Sequence, residues 1–308
     1  MKILRETLML PFSFCRYDEN HPEEFFIKIN RKSKWLTFAR IPIGYNFKDF
    51  LTNHVYNFKD NLLIDGCNDG LAFELVDHGF EPIKVGQEAF FNLSYDHFNR
   101  KSIKELIRRG FRNRVFEEIG FSEKTKIELE RFRKDCTHGN EPQLKYLFNT
   151  VFEPFFRLFV LKDENQKWLG AIMISIKENN FAQTELILRK KHAPVGVMEA
   201  LIYSVFNQLK AEGFLYWSLG AVPFTVYEDT LFSKEGLLNF IGRRLRFAYN
   251  YEGLFFFKNK FNPIWIDYYF CIKPRLTFML LFKILIKTNL LALIIFKIRQ
   301  IFQLKNIQ

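Results

Sequence analysis

The chain has 308 residues, of which 48% are hydrophobic, and this length and apolar content suffice for one large domain or two of ordinary size. Its formal net charge of +11 favours anionic partners, such as nucleic acid, acidic lipid headgroups or phosphorylated ligands. The four cysteines are scattered without a C-x-x-C pair or clustered histidines, which argues against a zinc site or a disulfide framework and favours a reducing compartment.

The first part of the chain, to about Ser94, alternates short strands with one helix. The apolar start is broken by Arg5, Glu6 and Pro11, so it lacks a signal-peptide core and we expect the chain to stay inside the cell. The stretches FFIKI, WLTFARI, NLLIDG and KVGQEAFFNLS predict strands. The stretch DGLAFELVDHGF predicts a helix with Gly79 at its carboxyl end.

A basic helix is predicted over NRKSIKELIRRGFRNR, residues 99–114. Apolar residues recur at helical spacing on one face. Another face carries the basic side chains Lys101, Lys104, Arg108 and Arg112. Glu105 is the only acid in this run, whereas solvated helices usually mix both signs. We expect this face to meet an anionic surface.

The segment from Phe155 to Lys190 predicts three antiparallel strands with turns at 163–165 and 178–180. A helix from Val197 and a strand over FLYWSLGAV follow. The helix entrance LRKKHAPVG is crowded with cations, and backbone N–H groups at a helix N-terminus are unpaired donors. This order resembles the core of the GNAT acyltransferase fold, in which the strand-to-helix loop binds phosphate through backbone N–H groups, so we expect an anion site at this loop.

Four segments in register carry a resemblance to a known family. They are KVGQEAFFNLSYDHFNRKSIKELIRRGFRNR, ELILRKKHAPVGVMEALI, GFLYWSLGAVPF and YNYEGLFFFKNKFNPIW. In this order they resemble the cytosolic domain of lysylphosphatidylglycerol synthases, also called multiple peptide resistance factors, over about residues 83–265. The AP-x-G-V-M and Y-x-E-G-L…F-K-x-K-F-x-P-x-W boxes are the most specific.

The resemblance implies a fold, an activity and partners. The family domain is a tandem of two GNAT-like folds, which predicts an α+β fold with subdomains at residues 1–98 and 99–272. The family moves an aminoacyl group from aminoacyl-tRNA to the glycerol hydroxyl of phosphatidylglycerol, which lowers the negative charge of the bacterial membrane. Because the tRNA ester is already activated, the resemblance implies no cofactor and no metal. Together with the apolar tail of the chain, it implies a peripheral or tail-anchored enzyme at the cytoplasmic face of the inner membrane. The resemblance also implies that the basic face at Lys101, Lys104, Arg108 and Arg112 contacts the phosphates of tRNA or of an anionic lipid, and the sequence does not choose between them.

Candidate site residues follow from acyl-transfer chemistry together with the matched motifs. An ester-to-alcohol transfer needs a positioned hydroxyl, proton handling and donors for the oxyanion. We predict Glu185, Glu252 and Lys258 as catalytic, with Glu185 holding the α-ammonium of the aminoacyl group or handling a proton. Substrate contacts are predicted at Arg189, Lys190, Gly196, Gly220 and Lys260. Lys258 and Lys260 are expected to share one face of a strand. Arg189 stands one place later than the arginine of the family motif.

The tail RLTFMLLFKILIKTNLLALIIFKIRQIF, within residues 273–308, is strongly apolar but interrupted by Lys283, Lys287 and Lys297. At helical spacing these lysines share one face, which predicts an amphipathic helix at a membrane interface. A single span with snorkelling lysines and a helix packed on the domain are the alternatives. For the whole chain, an acyltransferase with another donor or a non-lipid acceptor, and a non-catalytic anion-binding protein, remain alternative functions.

Overall fold

The computed structural model describes residues 8–178, 180–225, 236, 240 and 242–305. Eleven described strands form one sheet: β1 Phe14–Tyr17, β2 Glu23–Lys28, β3 Ser33–Pro42, β4 Asn61–Cys67, β5 Glu81–Asn92, β6 Val115–Ile119, β7 Arg157–Lys162, β8 Trp168–Glu178, β9 Phe181–Arg189, β10 Tyr216–Pro223 and β11 Ile264–Lys273. The described helices are α1 Phe47–Leu51, which runs into a π-helical turn at Thr52–Tyr56, α2 Asp69–Val76, α3 Lys101–Phe111, α4 Glu123–Lys134, α5 Val197–Ala211, α6 Tyr251–Asn259, α7 Phe278–Lys287 and α8 Leu290–Lys305.

The strand order is β1-β3-β4-β11-β5-β10-β9-β8-β7-β6, and β2 pairs with β3. Strand β11 lies between β4 and β5 and is antiparallel to both, although it comes last in the chain. Pairing of β5 with β10 joins the first and second parts of the chain into a continuous sheet. The division into subdomains near residue 98 stays a prediction.

Helices cover both faces of the sheet, as alternation along β7 shows. Phe159 and Leu161 belong to the core that contains α3 and α5, whereas Leu158 and Val160 belong to the core that contains α4. The apolar stripe predicted for the helix after the AP-x-G box is confirmed, since α5 is buried along it. The three strands and the helix predicted between residues 155 and 211 are confirmed.

Strands β9 and β10 separate part-way along their length. They pair in parallel over three residue pairs, from Phe181 opposite Tyr216 to Gln183 opposite Ser218. Beyond that point both strands contain irregularities. The register of β9 against β8 shifts around Glu185, and the register of β10 against β5 shifts between Ser218 and Ala221. Such bulges bend a strand and re-aim its side chains, so a gap opens between the two strands.

The tail forms two helices instead of the single helix expected from its sequence. Helices α7 and α8 meet at 70°, and Asn289 at the break has a positive φ of 63°. The three lysines therefore do not share one face, and Lys297 pairs with Glu141 at 2.6 Å. Within the described residues no single helix has the length and apolar content to cross a bilayer; α7 and α8 reach both only when taken together.

Candidate functional site

A cavity of about 360 Å³ occupies the gap where β9 and β10 separate. Its walls come from β9, β10, the central strands β4, β5 and β11, helix α6, and the tail helix α7. Most of the lining side chains are apolar, and this size is in the range of small-molecule sites. Two ionisable side chains predicted to be catalytic, Glu185 and Lys258, both line it.

Glu185 is buried and held by three hydrogen bonds. The backbone N–H and the side-chain amide of Asn149 donate to its Oε2 at 3.0 and 2.9 Å, and Ser175 Oγ donates to its Oε1 at 2.6 Å. Glu185 lies where the register of β9 against β8 shifts. This irregularity directs its carboxylate toward the cavity, although most other side chains of β9 are apolar or buried in the core. These contacts fix the orientation of the carboxylate, and its oxygens keep lone pairs for a cationic group.

Lys258 projects from α6 into the same cavity and is buried. Its Nζ donates a hydrogen bond to the carbonyl of Ala221 at 3.0 Å. Burial lowers the pKa of Lys258 to about 7, and the attraction of Glu88 opposes this fall. Near neutral pH the amine is therefore divided between its neutral and charged forms, which is the state that a general base and acid needs.

Glu88, which the sequence analysis missed, is a second buried carboxylate, and it attracts the charge of Lys258. It is buried on β5 directly opposite Ala221 of β10, and it accepts a short hydrogen bond from Ser218 Oγ. The same Ser218 Oγ accepts the N–H of Gly220 at 2.9 Å. Burial raises the pKa of Glu88 to about 7, while Ser218 and nearby lysines oppose the rise. Its signal in the sequence was a carboxylate inside the otherwise apolar stretch EAFF.

Comparisons with known proteins match most of this chain. The family model described as phosphatidylglycerol lysyltransferase, C-terminal, matches residues 15–272. The chain belongs to this family. A curated phosphatidylglycerol lysyltransferase of Bacillus subtilis (strain 168) is 23% identical over 214 residues, covering 65% of this chain and 24% of that protein. The chain thus spans about a quarter of the length of this relative.

Two solved structures share the fold of this phosphatidylglycerol lysyltransferase C-terminal family. The structure of L-PGS from Bacillus licheniformis has a TM-score of 0.66 and 19% identity, covering 86% of this chain and 85% of that chain. The C-terminal domain of a putative lysylphosphatidylglycerol synthetase from Agrobacterium fabrum has a TM-score of 0.62 and 20% identity, covering 84% and 83%. The predicted family and the predicted α+β, GNAT-like fold class are confirmed.

Two other residues predicted from the family boxes, Lys260 and Glu252, are not among the described residues that line the cavity. Lys258 and Lys260 were expected on a strand, but Lys258 lies in α6 and Lys260 caps its end. Two residues apart on a helix point to different sides, so Lys260 turns away and pairs with Glu199 at 2.8 Å. The expectation of a shared face was wrong. Glu252 is in the first turn of α6, pairs with Arg246 at 2.8 Å and is not among the described residues that line the cavity.

Gly220 is the predicted glycine that does line the cavity. Its φ of +85° is in the left-handed region that favours glycine, and it sits within the bulge of β10. A Cβ built at this position would lie 3.5 Å from Lys258 Nζ. This is an ordinary van der Waals distance, so the positive φ of the backbone, and not lack of space beside the amine, is what favours glycine here.

The entrance to α5 does not form part of the cavity. Gly196 packs against α3, and a Cβ there would collide with the carbonyl of Leu106, so its small size serves helix packing instead of ligand approach. Arg189 is exposed and donates to the carbonyl of Ala193 at 2.8 Å. Lys190 is half-buried, and its backbone forms an isolated antiparallel β-bridge with Cys136. Neither Arg189 nor Lys190 lines the cavity, so their phosphate role stays a prediction.

Helix α3 displays the predicted basic face. Lys101, Lys104, Arg108 and Arg112 are exposed, while Ile103 and Ile107 are buried against the core. Glu105 accepts hydrogen bonds from Arg108 at 2.9 Å and from Arg109 at 2.8 Å, and these arginines lower the pKa of Glu105 to about 2. The single acid is therefore neutralised within the helix, which leaves the surface cationic.

Proposed function

We propose that the chain transfers an aminoacyl group from aminoacyl-tRNA to a hydroxyl of a membrane lipid, with phosphatidylglycerol as the acceptor. The observation that carries this proposal is the placement of Glu185 and Lys258 in one cavity at the separation of β9 and β10. The first is an oriented carboxylate, and the second is an amine whose pKa is near neutrality. The carboxylate suits the α-ammonium of an aminoacyl ester, and the amine suits an alcohol that must lose its proton.

In this reaction Glu185 binds the α-ammonium of the aminoacyl group and fixes its ester carbonyl beside Lys258. The neutral amine of Lys258 takes the proton of the acceptor hydroxyl as its oxygen attacks that carbonyl. A new ester bond to the lipid forms, and the bond to the ribose oxygen of tRNA breaks. The resulting ammonium returns its proton to the leaving ribose oxygen, so Lys258 ends as it began. Positioning supplies much of the rate because the donor ester is already activated.

The surfaces around the cavity suit these two partners. The exposed cations of α3 are suited to the phosphate backbone of tRNA, a contact that weakens as salt rises. The apolar tail is suited to the cytoplasmic surface of a membrane that contains anionic lipid. The curated relative from Bacillus subtilis is described as a phosphatidylglycerol lysyltransferase, which agrees with this choice of acceptor.

Purified protein, phosphatidylglycerol vesicles and tRNA charged with radiolabelled lysine or alanine test the proposal. We expect a labelled lipid whose formation stops when the tRNA is digested with RNase. Lys258→Met and Glu185→Gln are expected to reduce product at least 100-fold, whereas Lys167→Met, in the exposed turn before β8, is the matched control. Transfer from acetyl-CoA with no product from either charged tRNA would instead support the acyl-CoA alternative.

A further inference from the structure

Lys177 is a second buried lysine near the proposed site, and the transfer mechanism does not use it. It lies on β8, and its exposed fraction is 0%. It is not among the described residues that line the cavity, so its amine lies behind the wall and does not touch a substrate. Lysine is almost never fully buried unless its charge is paired or hydrogen-bonded, so this position requires an explanation.

Backbone carbonyls surround the amine of Lys177. Its Nζ donates to the carbonyl of Pro11 at 2.9 Å and also to the carbonyls of Phe12 and Phe14. Three acceptors around one nitrogen need three N–H groups, which an ammonium has and a neutral amine lacks. Among the described residues Lys258 has one such partner. The contacts therefore hold Lys177 in its charged form, whereas Lys258 is free to lose its proton.

The side chain of Lys177 lies on the face of β8 that meets Glu185. Ile174 and Ile176 belong to the opposite face, since they pack in the core that contains α5. Ser175, between these isoleucines, donates to Glu185 Oε1 at 2.6 Å. Alternate residues of a strand share a face, so the ammonium and the carboxylate are on the same side of the sheet. Burial lowers the pKa of Lys177, and the attraction of Glu185 is the strongest of the effects that oppose this fall.

The other charged and titratable groups near Lys177 leave this pairing as the principal one. Arg16 donates from Nε to the backbone carbonyl of Lys177 at 3.3 Å, but its own charge pairs with Glu178 at 2.8 Å. Burial raises the pKa of the Cys15 thiol to about 12, so this thiol is uncharged at neutral pH. Glu88 attracts Lys177 less strongly, and burial raises the pKa of Glu88 to about 7. The strongest attraction on the ammonium therefore comes from the carboxylate of the proposed site.

Glu185 requires a nearby cation to perform its proposed role. Asn149 and Ser175, which donate hydrogen bonds to it, are uncharged. Burial favours the neutral carboxylic acid over the carboxylate unless a positive charge is near. A neutral acid would attract the α-ammonium of an aminoacyl group only weakly. A fixed cation behind the cavity wall keeps the carboxylate charged without occupying the space that the substrate needs.

We propose that Lys177 is a positioning residue for the transfer reaction: its ammonium, fixed by three backbone carbonyls, keeps Glu185 ionised for binding of the α-ammonium. This rests on the proposed function, in which Glu185 holds the aminoacyl group. The two buried lysines then have separate tasks, because Lys177 stays charged while Lys258 exchanges a proton with the substrate. Such a divergence between two groups of the same kind is typical of acid–base sites.

Carbon-13 NMR of the glutamate carboxyl groups tests the proposal without any substrate. The protein is labelled with glutamate that carries carbon-13 at its side-chain carboxyl, and Glu185→Gln identifies the signal of Glu185 by its disappearance. The pH at which this signal titrates is compared in the unaltered chain and in Lys177→Met. We expect the titration to move to higher pH by about one unit or more in K177M, because the cation is gone. An unchanged titration would overturn the proposal.

Ser13→Ala is the matched control for anchoring of the segment that Lys177 holds. Ser13 lies between Pro11 and Phe14, and its Oγ donates to the carbonyl of Leu147 at 3.1 Å. S13A loosens this segment and keeps the ammonium, so its Glu185 signal should titrate as in the unaltered chain. A shift in S13A as large as that in K177M would assign the effect to the segment and not to the charge, which would also overturn the proposal.

Nitrogen-15 NMR of the lysine side chains uses the unaltered chain and does not depend on the folding of K177M. Because the three carbonyls enclose its protons, the Lys177 ammonium should exchange slowly with water and give a signal with three attached protons. This signal should persist at about pH 8.5, where Lys258, identified by its loss in K258M, is largely neutral. Absence of a persistent buried ammonium at that pH would contradict the fixed charge of Lys177.

Transfer assays measure the consequence for the reaction. K177M should lower kcat/KM about tenfold or more at pH 7 and recover part of this loss at higher pH, where Glu185 ionises without help. A loss that is the same at every pH would show that Lys177 only supports the fold, against the proposal. If the unaltered chain makes no aminoacyl lipid, the proposed function fails, and the two NMR measurements still decide whether Lys177 sets the charge of Glu185.

Discussion

Replacing Lys258 with methionine should abolish transfer and stabilise the fold at the same time. Methionine has a similar length and no charge, so it keeps the packing of α6 while removing the buried amine. Buried ionisable groups that serve a reaction are commonly retained at a cost in stability. For Lys258 this cost follows from its position, since within the described part of the chain its Nζ has one hydrogen bond, to the carbonyl of Ala221.

The size of the effect follows from the pKa. The pKa of Lys258 falls from its ordinary 10.5 to about 7 in the fold. Each unit corresponds to about 1.4 kcal/mol, so the buried ammonium costs about 4–5 kcal/mol at and below neutral pH. Between pH 7 and 10.5 the unfolded chain binds more protons than the native chain. The stability of the unaltered protein therefore rises with pH over this window, relative to the methionine variant.

The assay is urea unfolding of both proteins at pH 7 and at pH 9.5, with transfer measured in parallel. We expect Lys258→Met to raise the free energy of unfolding by about 2–4 kcal/mol at pH 7, because part of the gain is lost when Glu88 loses its cationic neighbour. The advantage should shrink at pH 9.5. A variant that is less stable at pH 7, or an advantage that grows with pH, would refute the assignment of a buried amine whose charge Glu88 compensates only in part.

Three further outcomes are expected. Glu88→Gln removes the carboxylate that raises the pKa of Lys258, so the acidic limb of the pH profile of kcat/KM should move to lower pH; an unchanged limb would contradict the coupling. Gly220→Ala should cost about 1–2 kcal/mol of stability, because a residue with a Cβ is strained at this left-handed backbone conformation, and an unchanged free energy of urea unfolding would argue against that geometry. The double reversal Lys101→Glu with Lys104→Glu should weaken tRNA binding and flatten its dependence on salt concentration, as measured by filter binding at several salt concentrations, without changing transfer from a short aminoacyl ester.

Local patterns predicted much of the second half of the chain. The three strands from Arg157 to Arg189 and helix α5 have strong periodicity, and both appear where expected. Glu185 was found because it stands in the segment ELILRKKHAPVG that resembles the family, and because aminoacyl transfer calls for a carboxylate. Its partners Asn149 and Ser175 were not, since they lie 36 and 10 residues away and only the fold brings them together.

Positions that depend on distant contacts were misjudged. The lysines of FKNKF are on a helix because α6 packs beside β10, and nothing in the local alternation of FFFKNKF distinguishes that helix from a strand. Gly196 appeared suited to a ligand, but α3 occupies the space beside it. The break at Asn289 also escaped prediction, although the sequence carries a local signal for it: Lys287 stands in the last turn of α7, and asparagine tolerates the positive φ at which a helix ends.

The position of β11 has a consequence for how the polypeptide acquires its structure during synthesis. Until residues 264–273 leave the ribosome, β4 and β5 each present an unfilled edge to the surrounding solution. The backbone hydrogen bonds of the amino-terminal third are complete only after a segment some 170 residues later has been synthesised. Pairing over such a long sequence separation makes folding slow and leaves aggregation-prone intermediates. A chaperone that shields open edges is therefore expected to matter more for this protein than for one whose strands pair in the order in which they are made.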